Sequence, residues 1–234
     1  LRPSMQTPRI LIVLTSHDTM GDTDEKTGFW LEEFTSPYYI FRDAGAVVTL
    51  ASIQGGQAPI DARSLGEEAQ TETTRRFLAD DAAQQALAST FPVAEASADN
   101  YDALFLSGGH GTMWDFPESK ELTALIEAFD QAGKVISAVC HAPAALVPAK
   151  TANGDPLVKG KPVTAFTDSE ERAVQLEAVV PFMLETRLRE LGADFKGGPD
   201  FAPLVQQTGN LITGQNPPSS EPAAKAVLAA LQGE

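Results

Sequence analysis

KVISAVCHAPAALV, residues 134–147, is the stretch that decides the fold. Its first half is a short apolar run rich in β-branched residues, which predicts a buried strand over 134–140. Its second half is rich in alanine and contains a proline near its start, which predicts a short helix. Cys140, the single cysteine of the chain, lies between the two, and His141 follows it directly. The stretch therefore predicts a strand, a sharp turn that carries Cys140, and a helix.

Comparable patterns on both sides of this stretch predict a parallel sheet. Residues 9–16 and 46–53 are apolar runs typical of strands, and the segment between them, 27–45, has helical character. Pro37 inside this segment is expected to kink or divide the helix. A β-α-β beginning of this kind favours parallel strands. The remaining predicted elements are strands at 101–106 and 160–167, helices at 117–134, 168–193 and 218–233, and a hairpin at 204–214 that turns at Gly209-Asn210.

These elements predict one α/β domain over 9–233, with a largely parallel central sheet and helices on both faces. The helix over 168–193 is expected to be interrupted near Pro181. Residues 54–100 differ from the rest because they are acidic and polar. They are expected to form an excursion over the surface with one helix, over 75–89, and not a second domain.

Composition excludes several classes of protein. Among 234 residues, 17 Lys and Arg stand against 32 Asp and Glu, which gives a net charge of −15. Nucleic acids and anionic membrane surfaces both require clustered cations, so neither is an expected partner. No apolar run approaches the ~20 residues of a membrane span. A lone cysteine excludes an internal disulfide and gives no cysteine-rich metal pattern, so we expect a cytoplasmic protein without a metal.

Cys140 has two interpretations. Cysteine is among the most buried residue types, so it can be a small apolar spacer at the end of a strand. It can also be a nucleophile, because the carboxyl ends of parallel strands form the ligand crevice of such folds. The amino end of the following helix would then stabilise a thiolate. Position alone leaves both interpretations open.

A glycine-rich turn and the histidines add to the second interpretation. SGGHG, residues 107–111, follows a predicted strand, and its backbone N–H groups suit an oxyanion site, although an ordinary tight turn has the same composition. Each of the three histidines, His17, His110 and His141, lies in or beside a loop after a predicted strand. We therefore expect all three at one crevice.

Two pairs of carboxylates have suggestive positions. Glu32-Glu33 lies inside the apolar stretch GFWLEEF, where helical spacing lets one member face the sheet while the other points outward. Glu170-Glu171 follows the predicted strand at 160–167. A solvated helix face or a favourable charge at a helix amino end explains both pairs equally well, so composition leaves their role open.

Four segments together resemble a known family. GFWLEEF (28–34), LFLSGGHGTMWDFP (104–117), AVCHAP (138–143) and GKPVTAFTDSEE (160–171) are similar in order and spacing to the ThiJ/PfpI superfamily. That superfamily has a class I glutamine amidotransferase-like, flavodoxin-like fold. The closer resemblance is to its heat-shock-chaperone-related branch, which contains the glutathione-independent glyoxalase III enzymes. The resemblance extends from Arg9 to the closing helix.

The resemblance implies a role for each matching position. The implied roles are the nucleophile Cys140, the catalytic histidine His141, its orienting acid Glu171, the buried glutamate Glu33 against the sulfur, and an oxyanion and substrate-binding site at Gly108, Gly109 and His110.

The chain departs from the branch at two positions. It has Ser36-Pro37 where relatives often have His-Pro, and Ala142 where several relatives have Gly.

The resemblance also implies an activity. It is the cofactor-independent conversion of methylglyoxal, a 2-oxoaldehyde, to lactate through a Cys140 hemithioacetal, with either His141 or Glu33 moving a proton between the two carbons. Such an enzyme would serve aldehyde detoxification in the stress response and is expected to be a homodimer. The alternatives left open are a Cys-His-Glu hydrolase acting on amides or peptides, a holding chaperone, and a redox stress protein.

Overall fold

A computed structural model describes residues 6–233 and contains one large sheet and one small one. The large sheet has seven strands and the small one has two. In chain order the strands are β1 (Arg9–Leu14), β2 (Val47–Ser52), β3 (Phe91–Pro92), β4 (Ala103–Leu106), β5 (Val135–Val139), β6 (Pro162–Val163), β7 (Asp194–Phe195), β8 (Val205–Thr208) and β9 (Leu211–Gly214).

Parallel pairing dominates the large sheet, whose order is β3-β2-β1-β4-β5-β9-β8. Its only antiparallel pair among residues 6–233 is the β8–β9 hairpin, which turns at Gly209 as the sequence predicts. The register places Ile12 of β1 beside Phe105 of β4, and Phe105 beside Ser137 of β5. All the parallel strands therefore end at the same edge, and Cys140 lies there, one residue beyond β5.

Helices cover both faces of this sheet. They are α1 (Leu31–Asp43), α2 (Glu72–Leu78), α3 (Asp81–Ala88), α4 (Thr112–Asp115), α5 (Lys120–Gln131), α6 (Asp168–Ala173), α7 (Leu184–Glu190) and α8 (Ser220–Leu231).

Alternation along the strands divides the buried apolar residues into two clusters. Leu11 and Val13 of β1 pack with residues of α5, whereas Ile10 and Ile12 pack with residues of α1 and α8. The predicted α/β fold, with a largely parallel sheet and helices on both faces, is confirmed.

Several predicted boundaries are wrong for local reasons. The helix predicted at 75–89 is two helices, because Asp80 stops α2 and caps α3 by accepting a hydrogen bond from the Ala83 N–H. The strand predicted at 160–167 shrinks to β6, which pairs with β7 outside the large sheet. Pro37 lies within α1 without dividing it.

The long helix predicted at 168–193 is reduced to α6 and α7. Between them the chain leaves helical geometry at Gln175, whose φ is 61°, and it remains irregular through Pro181. No helix in residues 6–233 has the length and apolarity needed to cross a membrane.

Phe105 tests the importance of the central strands. Its side chain is fully buried and meets the Phe41 ring edge-on, with the ring centres 5.7 Å apart. Phe105→Ala should lower the free energy of unfolding by about 3–5 kcal/mol in urea titrations, because the lost contacts leave a cavity. Val47→Ala, on strand β2 of the same sheet but 54% exposed, should cost less than about 1 kcal/mol. Equal losses for the two variants would contradict this picture of the core.

Candidate active site

Cys140 lies in a strained turn at the carboxyl edge of the sheet. Its φ is 62°, in the left-handed region that non-glycine residues rarely adopt. Two backbone hydrogen bonds hold it there: its N–H donates to Gly214 at 2.9 Å, and its carbonyl accepts from the Phe166 N–H at 2.9 Å. Strain of this kind concentrates at sites where a side chain must be presented to a ligand. The turn aims the thiol into a cavity that lies above the edge of the sheet.

His141 connects the thiol to a buried carboxylate. Its Nδ1 lies 3.5 Å from the Cys140 sulfur, and its Nε2 lies 2.7 Å from an oxygen of Glu171. Glu171 belongs to the first turn of α6, and both residues are buried. The hydrogen-bond network assigns the Nε2–H as donor to Glu171, which leaves the Nδ1 lone pair facing the thiol. This order of groups is that of a nucleophile, a base and an orienting acid.

His110 shares the same carboxylate. Its Nε2 donates to the second oxygen of Glu171 at 2.6 Å, and its ring centre lies 3.9 Å from that of His141. Burial, and then the proximity of His141, lower the pKa of His110 to about 4. Burial alone would raise the pKa of Glu171, but attraction to His141 and the two histidine hydrogen bonds lower it well below its usual value. Glu171 is therefore ionised between two histidines.

Arg63 extends this network, and sequence analysis did not single it out. Its Nη2 lies 3.5 Å from Nδ1 of His110, while its Nη2 and Nε donate to the buried Asp61 at 2.6 and 3.0 Å. Both residues come from the polar excursion at 54–100, which therefore contributes to the site. The only signal in the sequence was the paired charge DAR at 61–63, a pattern too common to identify a site.

Glu33 also belongs to the site and has the least usual environment of its residues. Its side chain is fully buried on α1, and neither carboxyl oxygen has a hydrogen-bond partner of good geometry among residues 6–233. Burial, and then the charge of Glu32, raise the pKa of Glu33 well above its usual value, while the Cys140 thiol and the Gly108 backbone oppose the rise. These surroundings favour the protonated form of the Glu33 carboxyl. It faces inward while Glu32 is half-buried, as the sequence predicts.

Burial also raises the pKa of the Cys140 thiol well above its usual value, and the charges of Glu170 and Glu171, and of Glu33 when it is ionised, add to the rise. These surroundings oppose the thiolate that a helix amino end was expected to stabilise. The element that follows is a five-residue 3-10 helix, Ala142–Leu146, and the buried carboxylates nearby outweigh it.

The glycines of SGGHG allow close approach around the thiol. Gly109 has a φ of 110°, and a methyl group there would collide with the backbone at Gly28. A methyl group on Gly108 would collide with the Glu33 carboxyl and lie 2.6 Å from the Val139 carbonyl oxygen. The N–H groups of Gly109 and His141 have no acceptor within the described part of the chain. They are free to hold an oxyanion.

One predicted histidine lies elsewhere. His17 stacks on Trp114, with ring centres 5.1 Å apart, and does not line the cavity, so the expectation of three histidines at one crevice is wrong. Glu170 is buried but has a structural role. It completes the capping box of α6 and accepts hydrogen bonds from Asn216 and from the Phe201 N–H.

The cavity above Cys140 has a volume of about 270 Å³ and mainly apolar walls. The proposed site residues that line it are Glu33, Gly109, His110, Cys140 and His141, and the other lining residues are Trp30, Arg63, Phe166, Val174, Phe201 and Pro217. Apart from Trp30 in GFWLEEF and Phe166 in the fourth segment, no sequence pattern indicated these walls, because they come from separate loops.

His110, His141 and Glu171 are also the residues best placed to bind a metal ion, since their ligand atoms lie within 4.8 Å of one another. Each histidine Nε2 already bonds to a Glu171 oxygen. A metal ion would have to replace both hydrogen bonds. The three side chains are therefore arranged to bond to one another and not to a metal ion.

Comparisons with known proteins agree with the fold. The DJ-1/PfpI family model matches residues 26–230. The glutathione-independent glyoxalase HSP31 of Saccharomyces cerevisiae is 31% identical over 241 residues, covering 97% of this chain and 100% of that protein. Glyoxalase 3 of Candida albicans is 30% identical and covers 96% of this chain and 98% of its own length.

Two solved structures share the whole fold. The rapid encystment protein REP24 of Francisella tularensis superposes with a TM-score of 0.92 at 39% identity, covering 96% of this chain and 99% of that one. Glyoxalase III from Candida albicans superposes with a TM-score of 0.88 at 28% identity, covering 95% of this chain and 97% of that one.

The lowered pKa of His110 is directly measurable. In NMR titrations its ring resonances should stay those of neutral imidazole from pH 7 down to about 4. The unfolded chain binds this proton near pH 6.5 and the folded chain does not, so His110 lowers the free energy of unfolding as pH falls through that window. With three histidines in the chain, His110→Gln identifies the resonance. Titration of His110 near pH 6.5 would contradict its burial against Glu171.

Proposed function

The chain belongs to the DJ-1/PfpI family, and from that premise we propose that it is a glutathione-independent glyoxalase that converts methylglyoxal to lactate. Family membership alone does not choose a reaction, because related sites with one nucleophile turn catalyse different chemistry. The observation that carries the proposal is Glu33: a buried, protonated carboxyl without a hydrogen-bond partner of good geometry, beside a cysteine that already has its own base. A reaction that moves hydrogen between two carbons requires a second proton carrier in addition to the base.

The first step forms a bond between sulfur and carbon. His141 Nδ1, 3.5 Å from the sulfur, accepts the thiol proton as the sulfur attacks the aldehyde carbon of methylglyoxal. Glu171 stabilises the imidazolium through its hydrogen bond to Nε2. The free N–H groups of Gly109 and His141 hold the developing oxyanion, which then takes the proton back from His141. The product of this step is a hemithioacetal, and His141 is again a neutral base.

The second step moves a proton between adjacent carbons. His141 removes the proton of the former aldehyde carbon while Glu33 protonates the neighbouring ketone oxygen, which gives an enediol. His141 then returns its proton to the second carbon while the hydroxyl of the first carbon gives its proton to Glu33, which yields a thioester of lactate and restores both residues. These assignments follow from the environments: the unpartnered protonated carboxyl acts as the acid, and the oriented imidazole acts as the base.

The last step is hydrolysis of the thioester. Water attacks the carbonyl carbon, the Cys140 sulfur leaves and regains its proton, and lactate departs. The aldehyde carbon has been oxidised and the ketone carbon reduced by equal amounts, so one water is the only other reactant. The site residues thus supply and recover the protons that the reaction moves.

A Cys-His-Glu hydrolase is the second candidate, because the 3.5 and 2.7 Å contacts of His141 suit acyl transfer equally well. Glu33 favours the glyoxalase, since acyl transfer gives this carboxyl no proton to carry. A redox stress protein is disfavoured by the burial of the Cys140 thiol, because oxidation-sensitive cysteines are accessible to solvent.

We also propose that the chain works in the cytoplasm as a homodimer. Each protomer would be a single domain over residues 9–233. The continuous sheet from β3 to β8 and the near-complete coverage of the relatives support the domain limits. A single, buried cysteine suits a reducing compartment. Analytical ultracentrifugation of the purified chain measures the oligomeric state.

Methylglyoxal turnover without glutathione tests the proposed function. Wild type should form lactate, and Cys140→Ala should reduce kcat by at least about a thousandfold, because the covalent route is lost. Thermal unfolding of both proteins controls for folding, and a panel of amides and short peptides assayed in parallel tests the hydrolase. A folded wild type that forms no lactate but cleaves an amide would replace the glyoxalase with the hydrolase.

Glu33→Gln separates nucleophilic attack from proton transfer. The variant should lower kcat for methylglyoxal by roughly 10²–10⁴-fold, the usual contribution of a general acid or base, while iodoacetamide still alkylates Cys140. Glu32→Gln is the matched control, because the adjacent side chain lines a different cavity, and its effect should stay below about tenfold. Equal kcat values in wild type and Glu33→Gln would remove Glu33 from the proton transfer.

A further inference from the structure

The cavity above Cys140 has a catalytic floor and an apolar mouth. Glu33, Cys140 and His141 form the floor, and aromatic side chains rise from it toward solvent. Phe166 lies against His141 with ring centres 4.3 Å apart, and Phe201 meets Phe166 edge-on at 6.0 Å. The aromatic wall therefore begins at the catalytic histidine and continues to the rim.

Two large apolar side chains at this rim remain exposed. Phe201 is 43% exposed and Val174 is 36% exposed, and they are two of the five exposed large hydrophobic side chains in residues 6–233. The other three, on β2, α2 and the loop before it, do not line this cavity. Exposed apolar surface that continues into a catalytic cavity is a place for an apolar part of a ligand.

The backbone at the rim is held in an unfavourable geometry. Phe201 has a φ of 61°, as does Gln175, the residue after Val174. The Phe201 N–H donates at 2.7 Å to Glu170, whose carboxylate is buried and also bonded to Asn216. Left-handed backbone at residues other than glycine persists only where the surroundings impose it, and such positions cluster at ligand clamps. The fold thus fixes Phe201 in its exposed position.

The size of the cavity does not match methylglyoxal. The volume of about 270 Å³ is close to the lower limit for pockets that bind drug-sized ligands. Methylglyoxal carries a single methyl group beside its reacting carbons and would leave most of this volume unfilled. Binding energy from a remote part of the substrate is useful in catalysis when it orients the reacting centre.

From these observations, and resting on the proposed function, we infer that the preferred substrates are 2-oxoaldehydes with a bulky apolar substituent, aryl or long alkyl, held between Phe166 and the Phe201–Val174 rim. The reaction is unchanged in kind. The Cys140 sulfur bonds to the aldehyde carbon, a proton passes from that carbon to its neighbour, and water releases the 2-hydroxy acid. No oxidant or reductant is needed, and phenylglyoxal would give mandelate.

The experiment compares kcat/KM for methylglyoxal, for 2-oxoaldehydes with longer alkyl chains, and for phenylglyoxal. In wild type, kcat/KM should rise along the alkyl series and be roughly tenfold higher for phenylglyoxal than for methylglyoxal, as expected when an apolar pocket gains contacts. Phe201→Ala should lower the phenylglyoxal-to-methylglyoxal ratio roughly tenfold, and Val174→Ala should lower it by a smaller factor. Comparing this ratio between variant and wild type cancels the different intrinsic reactivities of the two aldehydes.

Leu78→Ala is the matched control, because Leu78 is 50% exposed on α2 and does not line the cavity, and it should leave the ratio unchanged. Thermal unfolding checks the folding of each variant, and Val174→Ala replaces Phe201→Ala if the latter is unfolded. Methylglyoxal turnover with falling kcat/KM along the series, or a ratio unaffected by both rim variants, would overturn the inference alone. Absence of turnover with every 2-oxoaldehyde would overturn the proposed function as well.

Discussion

The arrangement of the site depends on one buried carboxylate that accepts two hydrogen bonds. Glu171 takes the Nε2–H of His110 on one oxygen and that of His141 on the other. Because both histidines donate through Nε2, each keeps a free Nδ1 lone pair. One lone pair faces the Cys140 sulfur and the other faces Arg63. Without Glu171 neither ring would have a fixed tautomer, and the thiol would lose an oriented base.

The position of that carboxylate depends in turn on the end of α6. Glu171 and Glu170 both lie in the first turn, where a helix favours negative charge, and the capping box formed by Thr167 fixes the start of the helix. The neighbouring Glu170 bonds to Asn216 and to the Phe201 N–H, so one helix start orients His141 and also holds the rim. The floor of the cavity and its apolar mouth are therefore connected through the first turn of α6.

The sequence predicted the features that depend on local pattern. Apolar runs identified β1, β2, β4 and β5, and the turn at Gly209 identified the hairpin, because burial and turn chemistry can be recognised from neighbouring residues. The four segments of family resemblance named Cys140, His141, Glu33 and Glu171, which the fold brings together. Features created by tertiary contact could not be predicted in this way. Arg63 reaches the site from the polar excursion at 54–100, and Phe201 is placed at the rim by its strained backbone. Neither residue lies in a sequence pattern that indicates a site.

A protonated resting thiol follows from the same concentration of acids. Three buried glutamates surround Cys140, and each opposes a thiolate, as does burial itself. A cysteine in this state is a poor nucleophile until a base removes its proton, and it is also slow to react with oxidants, because the thiolate is the reactive form in both reactions. The proposed base, His141, lies beside the sulfur, and the proposed acid, Glu33, needs a proton of its own for the ketone oxygen. Burial raises the pKa values of both Glu33 and Cys140, which favours a protonated acid and leaves activation of the sulfur to His141 when an aldehyde carbon occupies the cavity.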